Sequence, residues 1–402
     1  MQKPDDTAKD FFKGSYLTQC LSSDRRIFAT SVIISFLVLL FTYPRYLELI
    51  FDGNLTTNYA YFFDKVKAPL ETVRGDQETH GGKIDFRFTV PLLSKLLGIG
   101  DSGSGRNVIL IYLIQSALLV PFLFFLMKLL LRRLASGTVL YFVMGISSIY
   151  LGKAFFWDYD FWFDAFAYFF LLLGMYLKNR IGIFLTLTLA CWTDERAVIA
   201  LAAVYLFHLL SETDFELQSF WQFRDIKDWL SRRSSIVLVV GAGYLVVRLF
   251  LSNRYGLRTP VGHGSGAELA LIPYQLKHRL SGIYLTFEGL WLLFIAAIGL
   301  LAKRGNLVLI VSMVSIIVVQ TLVSYAVYDI SRSLTYAFPL MITAVLIINK
   351  YKTADLKYLY MGVMALCILM PTQYVIFYPR QIPWTILSYE ELKPVISFLL
   401  LR

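Results

Sequence analysis

The chain has 402 residues, of which 57% are hydrophobic and 16% are charged, and its net charge is +10. Apolar runs recur along its whole length, a composition that excludes a soluble globular protein and predicts a single, all-α polytopic transmembrane domain over residues 1–402. The positive charge does not indicate a nucleic-acid partner, because the basic residues stand mostly at the ends of apolar runs and form no long cluster. The partners that this composition implies are membrane lipids.

The first apolar run, Ile27–Tyr43, follows a charged arm and ends without a small-residue cleavage pattern. It therefore predicts a retained transmembrane helix and not a signal peptide. Later runs bring the expected total to about nine full crossings. The other eight runs are Val108–Leu131, Val139–Phe155, Trp162–Leu177, Ile236–Leu251, Ile283–Leu301, Leu307–Val327, Leu334–Ile348 and Tyr358–Phe377.

Residues 45–106 separate the first two runs, and the sequence predicts that they form one long external loop. Within this loop, Tyr59–Phe63 and Phe86–Leu97 mix apolar and charged side chains at roughly helical spacing. Helices of this kind lie in the plane of the membrane interface with their apolar faces in the acyl boundary. We therefore expect external interfacial helices that cover an outer cavity.

The apolar run Ile181–Leu210 is broken at its midpoint by the charged residues of Thr193–Arg196. A charge at bilayer depth costs about 2.5–3.5 kcal/mol on insertion scales, so it persists mainly where it pairs or serves a site. The arms, Ile181–Trp192 and Ala197–Leu210, have 12 and 14 residues, short of the ~20 that a crossing helix needs. The pattern predicts a half-membrane helical hairpin with a polar tip.

Lys- and Arg-rich short loops tend to stay in the cytoplasm. With the charged break read as a hairpin, most such segments fall on one side, so the N-terminus is predicted to be cytoplasmic and the C-terminus external. The basic loop Asn253–Ser281 argues against this topology, because it falls on the external side. The segments predicted to be cytoplasmic are the N-terminal arm, Arg132-Arg133, Lys178–Arg180, Arg224–Arg233, Lys303-Arg304 and Lys350–Lys357.

The three cysteines, Cys20, Cys191 and Cys367, do not make a disulfide framework or a thiolate metal site. The sequence also contains no phosphate loop, dinucleotide fingerprint or nucleophile elbow. No metal and no other cofactor is therefore predicted, and external carboxylates leave a divalent cation open without a supporting ligand spacing.

Several charged residues on the predicted external side are candidates for substrate binding. At the hairpin tip, Arg196 either neutralises a carboxylate and caps the turn, or the excess negative charge of Asp194 and Glu195 binds a hydroxyl-rich ligand. At the start of a later run, Asp329 and Arg332 are three residues apart. They either pair with each other or leave Arg332 to bind a phosphate, for which a guanidinium has suitable donors.

A second acidic group, Asp158, Asp160 and Asp164, lies among aromatic residues before the run Trp162–Leu177. Asp160 and Asp164 are four residues apart and would share a helix face, where like charges repel weakly. The acidic residues fit the solvated first turn of a helix, and the aromatic residues fit an interfacial belt. Carboxylates beside aromatic faces also suit a carbohydrate.

The order in which these segments follow each other along the chain resembles the order in a known family. A first helix is followed by a long outer loop with Asp52, and an aspartate-aromatic segment precedes a helix that ends at Lys178-Asn179-Arg180. The hairpin with its polar tip follows. The remaining motifs are Arg87-Phe88-Thr89-Val90-Pro91-Leu92-Leu93 and Asp329-Ile330-Ser331-Arg332, the latter leading into Tyr336-Ala337-Phe338-Pro339-Leu340. Over nearly its whole length the chain resembles the bacterial GT-C-type membrane glycosyltransferases.

The resemblance implies an enzyme of the bacterial inner membrane that moves a sugar from a polyprenyl-phosphate carrier to a glycan or lipid acceptor on the outer face. In that family an aspartate soon after the first helix is the general base, a position held here by Asp52. Because Asp52 is followed by Gly53 and not by a second acid, Asp64 and Asp76 stay open as the base. The departing phosphate would be stabilised by basic residues, for which the candidates are Arg87, Arg196 and Arg332.

Two alternatives remain at this stage. An O-antigen-type polymerase or ligase would carry its largest external loop late in the chain, whereas here the first loop is the largest. A flippase or transporter of lipid-linked glycans would use the half-length hairpin as a midplane site, as broken helices do. Inverted repeats would favour a transporter, and the sequence shows none.

Overall fold

The computed structural model describes residues 20–42, 44–45, 57–72, 80–99, 105–158, 161–216, 230–259, 267–352, 356–370, 372–375, 379–382, 393 and 397. The chain is mostly helical. Its α helices are α1 (Asp24–Leu40), α2 (Thr57–Lys67), α3 (Thr89–Leu96), α4 (Gly105–Ala117), α5 (Leu119–Leu130), α6 (Ser136–Ser148), α7 (Tyr150–Trp157), α8 (Asp164–Tyr176), α9 (Arg180–Thr193), α10 (Arg196–Glu212), α11 (Arg233–Tyr255), α12 (Leu271–Arg279), α13 (Ser281–Phe287), α14 (Leu290–Lys303), α15 (Leu307–Tyr325), α16 (Ile330–Thr335), α17 (Phe338–Tyr351) and α18 (Lys357–Leu369).

Two short non-α elements complete the described fold. A 3₁₀ helix, His80–Phe86, lies in the long loop between α2 and α3. After α18, strands β1 (Gln373–Val375) and β2 (Pro379–Gln381) pair antiparallel. The run Tyr358–Phe377 is therefore not one helix as expected, because the chain leaves the helical conformation after Leu369 and becomes extended.

Among the residues that the structure describes, three helical segments are long and apolar enough to cross a membrane: Arg106–Leu130, Arg233–Tyr255 and Leu307–Tyr325. The number rises to five if each of two bent pairs counts as one span, α6 with α7 at 49° and α13 with α14 at 94°. The expectation of about nine full crossings is not confirmed, because several predicted runs form helices of only 13 or 14 residues, α8 and α17 among them. The supported architecture is a helical protein with three to five candidate spans.

Large apolar side chains on the outer faces of the long helices also fit a membrane protein. Ile33 of α1, Val246 of α11 and Val311 of α15 are 59%, 67% and 61% exposed. Contiguous exposed apolar surface of this kind marks contact with lipid or a partner, because water disfavours it. Central helix α17 is instead buried from Phe338 to Ile348, as expected of a helix that is apolar on every side.

The structure places the predicted break of the apolar run where the sequence indicates it. Helix α9 ends at Thr193, Asp194 has an extended backbone (φ −153°, ψ 136°), and α10 begins at Arg196. At the far ends of the two arms, the Arg180 guanidinium donates to the Leu230 carbonyl at 2.7 Å. Glu212, at the end of α10, accepts from the backbone N–H of Arg233. Both arms thus meet one short segment, so the chain enters and leaves at the same end of the molecule.

Segments predicted to be cytoplasmic gather at that end, which we call the basic end. Lys128 pairs with Asp24 at 2.8 Å. Asp214 pairs with Arg133 and, at 3.3 Å, with Lys350. These are exposed pairs that contribute at most about 1 kcal/mol each. These pairs are informative about the fold, because they show that loops distant in sequence lie together at one end of the molecule.

Candidate functional site

A continuous chain of alternating arginines and aspartates lies at the opposite end of the hairpin from the basic end. We call it the ion-pair chain. Successive N···O distances along it are 2.5, 2.7, 2.9, 3.1 and 2.8 Å, and its members are at most 7% exposed. In order of contact they are Arg87, Asp194, Arg196, Asp164, Arg332 and Asp329.

The structure therefore brings together six of the residues that the sequence marked as substrate-binding. Three positive and three negative groups make the chain neutral. Removing a charge from water is expensive, and breaking a buried pair by deleting one partner costs about 3–5 kcal/mol. Well-packed apolar residues would stabilise the protein core equally well at these six positions. A buried network of six charged residues therefore indicates a functional site more than a contribution to stability.

The hairpin tip supplies the centre of this network. The Asp194 Oδ1 atom accepts from the Arg196 backbone N–H at 2.9 Å and from its Nε at 2.7 Å. Arg196 therefore neutralises Asp194 and closes the turn, as one of the two interpretations predicts. Arg87, from the start of α3, adds a second guanidinium to the same carboxylate.

Asp164 lies in the first turn of α8 and is completely buried. Its backbone N–H donates to the Asp158 Oδ2 atom at 3.0 Å, so Asp158 orders the start of this helix. Asp160 lies outside the described residues. The expected shared helix face of Asp160 and Asp164 therefore stays a prediction. Residues 161–163, which directly precede Asp164, are not helical, and Phe161 and Phe163 have left-handed backbones (φ 61° and 56°).

Bulky residues rarely adopt left-handed conformations, which cost about 1–3 kcal/mol each and cluster at functional sites. Here they turn the ring of Trp162 between two guanidiniums. The guanidinium carbons (Cζ) of Arg87 and Arg332 lie 4.4 and 5.3 Å from the centroid of the Trp162 ring, within range of a cation–π interaction. Trp162 therefore joins the two ends of the ion-pair chain, and the aromatic-belt interpretation does not describe this residue.

Polar residues next to α17 make a second layer around the chain. The Tyr336 hydroxyl donates to Asp164 Oδ1 at 2.5 Å, and the Arg196 guanidinium donates to the Ser333 hydroxyl at 2.8 Å. The Tyr168 hydroxyl donates to the Arg332 carbonyl at 3.0 Å. Sequence reasoning assigned no role to Tyr168, Ser333 or Tyr336, because nothing in an apolar run marks which hydroxyl will meet a distant charge.

Two charged side chains lie beside the ion-pair chain without forming an ion pair in it. The Lys83 side chain is 8% exposed, and no ion pair or hydrogen bond from its amine is found within the described ranges. Glu195, at the hairpin tip, is half-buried and likewise forms no ion pair in the part of the chain that the structure describes. Sequence reasoning missed Lys83, whose proximity to the tip is a tertiary feature.

The surroundings of Lys83 act on its acidity. Burial lowers the pKa of Lys83 to about 8. The carboxylates of Glu195 and Asp329 oppose that shift, whereas the guanidiniums of Arg196 and Arg332 add to it. An amine with this pKa, held near a half-buried carboxylate, is suited to bind an anion or to exchange a proton near neutral pH.

The predicted catalytic aspartates are not part of the ion-pair chain. Asp64 is exposed on α2, and neighbouring Phe62 packs against Phe161 and Phe163, which flank Trp162. Asp52 lies outside the described residues. Among the described residues, Glu195 is the carboxylate that lies at the network without a partner in it.

An apolar groove that we call the Lys153 groove lies near the Asp329 end of the network. It has a volume of about 260 Å³ and is lined by the end of α1, by Ser147 and Ser148, and by Lys153. The Lys153 amine donates to the Thr372 hydroxyl at 2.9 Å. Two residues further on, Tyr374 stacks on Tyr150, with ring centroids 5.4 Å apart.

Strand β1 continues from this groove to the network. The Val375 backbone N–H donates to the Ser331 hydroxyl at 3.0 Å, and Ser331 precedes Arg332. The groove and the ion-pair chain are therefore joined by one short strand.

Comparison with known proteins does not assign this chain to a family. No protein-family model matches this chain, and no curated protein or solved structure matches it significantly.

Proposed function

We propose that the protein is a membrane glycosyltransferase that moves a sugar from a polyprenyl-phosphate carrier to a hydroxyl group of a cell-envelope glycan or lipid. The observation that carries this proposal is that the Lys83 amine and the Glu195 carboxylate, neither of which forms an ion pair within the described residues, lie close to the ion-pair chain. Such a site offers an anion binder and a proton acceptor together. These are the two groups that direct transfer from a sugar phosphate requires.

In the proposed reaction the acceptor oxygen forms a bond to the anomeric carbon, and the bond from that carbon to the phosphate oxygen breaks. The electron pair of the broken bond leaves on the polyprenyl phosphate, where Lys83 and Arg332 stabilise the added negative charge. The hydroxyl proton passes to a carboxylate, for which Glu195 is our choice among the described residues. The family resemblance favours Asp52 for the same role.

The ion-pair chain would hold this geometry in place. Because each of its arginines is already bound to a carboxylate, it does not reorganise when charge develops, and preorganised charges stabilise a transition state most effectively. The lipid tail of the donor would lie in the Lys153 groove, with its phosphate directed along β1 towards Arg332. Lys153, whose amine donates to Thr372 at the start of this path, adds a positive charge to a mostly apolar groove, which suits an anionic lipid.

In the membrane, we place the basic end in the cytoplasm and the ion-pair chain on the outer side, with the N-terminus inside. The 14 residues of α9 rise about 21 Å, so the tip lies past the midplane of a hydrocarbon core about 30 Å thick. The nine crossings and the interfacial position of α2 and α3 belong to this proposal. It assumes that the short helices are accommodated by local thinning of the bilayer and by flanking side chains that reach the interface.

The test is transfer from radiolabelled polyprenyl-phosphate sugars in proteoliposomes that contain envelope material as acceptor. Glu195→Gln is expected to lower kcat by about 10²–10⁴-fold, the usual contribution of a positioned base. Donor affinity is compared at pH 6, well below the Lys83 pKa of about 8, and should be unchanged there. Glu216→Gln, at an exposed ion pair of the basic end, is the matched control and keeps full activity. Full activity of Glu195→Gln together with loss in Asp52→Asn would transfer the role of base to Asp52.

One observation favours a second candidate, a flippase for lipid-linked glycans. Helices α13 and α14 are bent by 94° at Glu288, a fully buried residue with a left-handed backbone (φ 46°). Broken helices with a buried charge are a feature of transporters. Movement of a labelled lipid-linked glycan across the proteoliposome membrane, with the sugar still on its carrier, would favour this candidate.

A further inference from the structure

A second apolar groove, larger than the Lys153 groove, lies at the other end of the ion-pair chain. We call it the Leu189 groove. It has a volume of about 600 Å³ and is bounded by the link after α2, by α3, by the last turns of α9 and by α11. Its lining includes Leu70, Leu92, Leu189, Trp192 and Val247. A volume in this range is typical of a binding site for one ligand.

The groove is built on fixed contacts and is not a loose gap between helices. The Thr89 hydroxyl donates to the Leu189 carbonyl at 2.7 Å and ties α3 to α9. The ring of Trp192 contacts Phe88 on one side and Tyr244 on the other, with centroids 5.3 and 4.6 Å apart. These contacts define its walls, while Leu92 on the outer rim remains 47% exposed.

Two separate segments lead from this groove directly to the ion-pair chain. Phe88 and Thr89 follow Arg87, and Trp192 precedes Asp194 by two residues. Arg87 and Asp194 form the first pair of the network, with an N···O distance of 2.5 Å. The Leu189 groove thus reaches the Arg87 end, whereas the Lys153 groove reaches the Arg332 end through β1.

We infer that the acceptor is itself a membrane lipid, whose hydrocarbon chain occupies the Leu189 groove and whose headgroup hydroxyl enters the site from the Arg87 side. This inference rests on the proposed glycosyl transfer. The two grooves differ in the way that the two lipids should. The Lys153 groove has one positively charged lining residue, which suits an anionic donor, whereas the described lining of the Leu189 groove contains no charged residue.

The geometry also suits direct displacement. The donor phosphate approaches from one end of the ion-pair chain and the acceptor oxygen from the other, so that the new bond forms on the face opposite the breaking one. Glu195, at the hairpin tip between the two ends, receives the hydroxyl proton. The products are a glycosylated lipid and free polyprenyl phosphate.

The experiment uses the full-length protein in proteoliposomes with radiolabelled polyprenyl-phosphate hexoses and pentoses. The acceptor is supplied either as the total lipid extract of the source cell or as its delipidated envelope polysaccharide. Label is then followed into new organic-soluble species or into water-soluble and polymeric material. We expect transfer only with the lipid extract, with the product in the organic phase.

Groove-filling variants test where the acceptor lies. Val247→Trp is expected to raise the amount of lipid extract needed for half-maximal transfer at least tenfold, with the KM for the donor unchanged. Val246→Trp is the matched control, because Val246 is the same residue type on the same helix, 67% exposed and outside the groove lining. The thermal stability of both variants confirms that they fold.

The outcomes are distinguishable. Transfer into polysaccharide alone would overturn the lipid acceptor and leave the proposed glycosyltransferase standing. Equal behaviour of Val247→Trp and Val246→Trp would overturn the groove assignment and indicate that ordinary bilayer chains fill it. Absence of transfer with every donor and acceptor would contradict the proposed function, and this inference with it.

Discussion

At the scale of single residues, the site separates into groups that hold its shape and groups that remain available for chemistry. Asp194 is bound by Arg87 and Arg196 and has no capacity left for a ligand. Lys83 and Glu195 lie beside it without a direct partner in the described structure. In the proposed mechanism, the paired residues hold the geometry and Arg332 also faces the phosphate, while Lys83 binds the phosphate and Glu195 accepts the proton.

Lys83 should control how donor binding depends on pH. Its amine binds a phosphate only when protonated, and a phosphodiester stays anionic throughout this range. Because the pKa of Lys83 is about 8, donor affinity is expected to fall as the pH rises through 8. Lys83→Met removes a charge-assisted hydrogen bond worth about 1.5–3 kcal/mol and should weaken binding about 10–100-fold at pH 7.

Donor titrations between pH 6 and 9.5 check this expectation. Lys83→Arg keeps the charge at every pH in that range, so it should bind the donor without an inflection near pH 8. An inflection that persists in Lys83→Met would assign the titration to another group and contradict the role of Lys83.

Asp194 should instead be a stability residue. Asp194→Asn leaves two buried guanidiniums with a neutral partner, and breaking a buried ion pair costs about 3–5 kcal/mol. Asp214→Asn is the matched control, because Asp214 also meets two cations but its side chain is 69% exposed. We expect a change of at most about 1 kcal/mol there. Denaturant unfolding in detergent micelles gives both values, and equal losses would show that burial does not matter.

Residue types and spacing predicted which charges matter, but not all of their partners. The pair of Asp329 with Arg332 and the neutralisation of Asp194 by Arg196 are local in sequence, and each contact agrees with one of the two interpretations that the sequence left open. The contact of Arg196 with Asp164 spans 32 positions. Lys83 likewise reaches the tip only through tertiary folding, which hydrophobic periodicity does not report.

At the scale of elements, the hairpin could be predicted because charges interrupt an apolar run and leave arms too short to cross. The left-handed turn at Phe161 and Phe163 could not, because bulky aromatic residues do not ordinarily adopt that backbone conformation. The extended segment after α18 was also missed. Pro371, which comes two residues after the end of α18, is an ordinary signal for a helix end, so this boundary was readable from the sequence.

The bend between α6 and α7 provides a test at this scale. A Cβ at Gly152 would lie 2.2 Å from the Ser147 carbonyl oxygen, a backbone atom that cannot move without changing the bend. Gly152→Ala is therefore expected to destabilise the protein by about 1–3 kcal/mol, as overpacking does. Because α7 carries Lys153 and leads to Asp158, donor affinity should fall as well.

Gly243→Ala is the control for this prediction. Gly243 lies within α11 with open space around its Cα, and alanine favours a helix over glycine by about 0.8–1 kcal/mol. The variant should be neutral or slightly stabilised in the same unfolding measurement. A tolerated Gly152→Ala would mean that the bend relaxes and does not fix the groove.

At the scale of the whole molecule, the basic end and the ion-pair chain lie at opposite ends of α9 and α10. Arg180 and Glu212 contact residues 230–233 at one end, and Asp194 meets Arg87 at the other. From the positive-inside tendency we propose that the basic end lies in the cytoplasm. The two ends should therefore differ in their accessibility from the two sides of the membrane.

Cysteine labelling measures that difference. In a variant whose native Cys20, Cys191 and Cys367 are replaced by serine or alanine, Glu195→Cys should react with a membrane-impermeant maleimide from the outside. Lys350→Cys, 30% exposed in the native side chain, should react only after the cytoplasmic face is opened. Reaction of both positions from the cytoplasm would contradict the outward-facing tip, because a helix of 14 residues rising about 21 Å would then have to lie along the inner surface. The charged network would face nucleotide-linked sugars in that arrangement, and a polyprenyl-phosphate donor on the outer face would have no access to it.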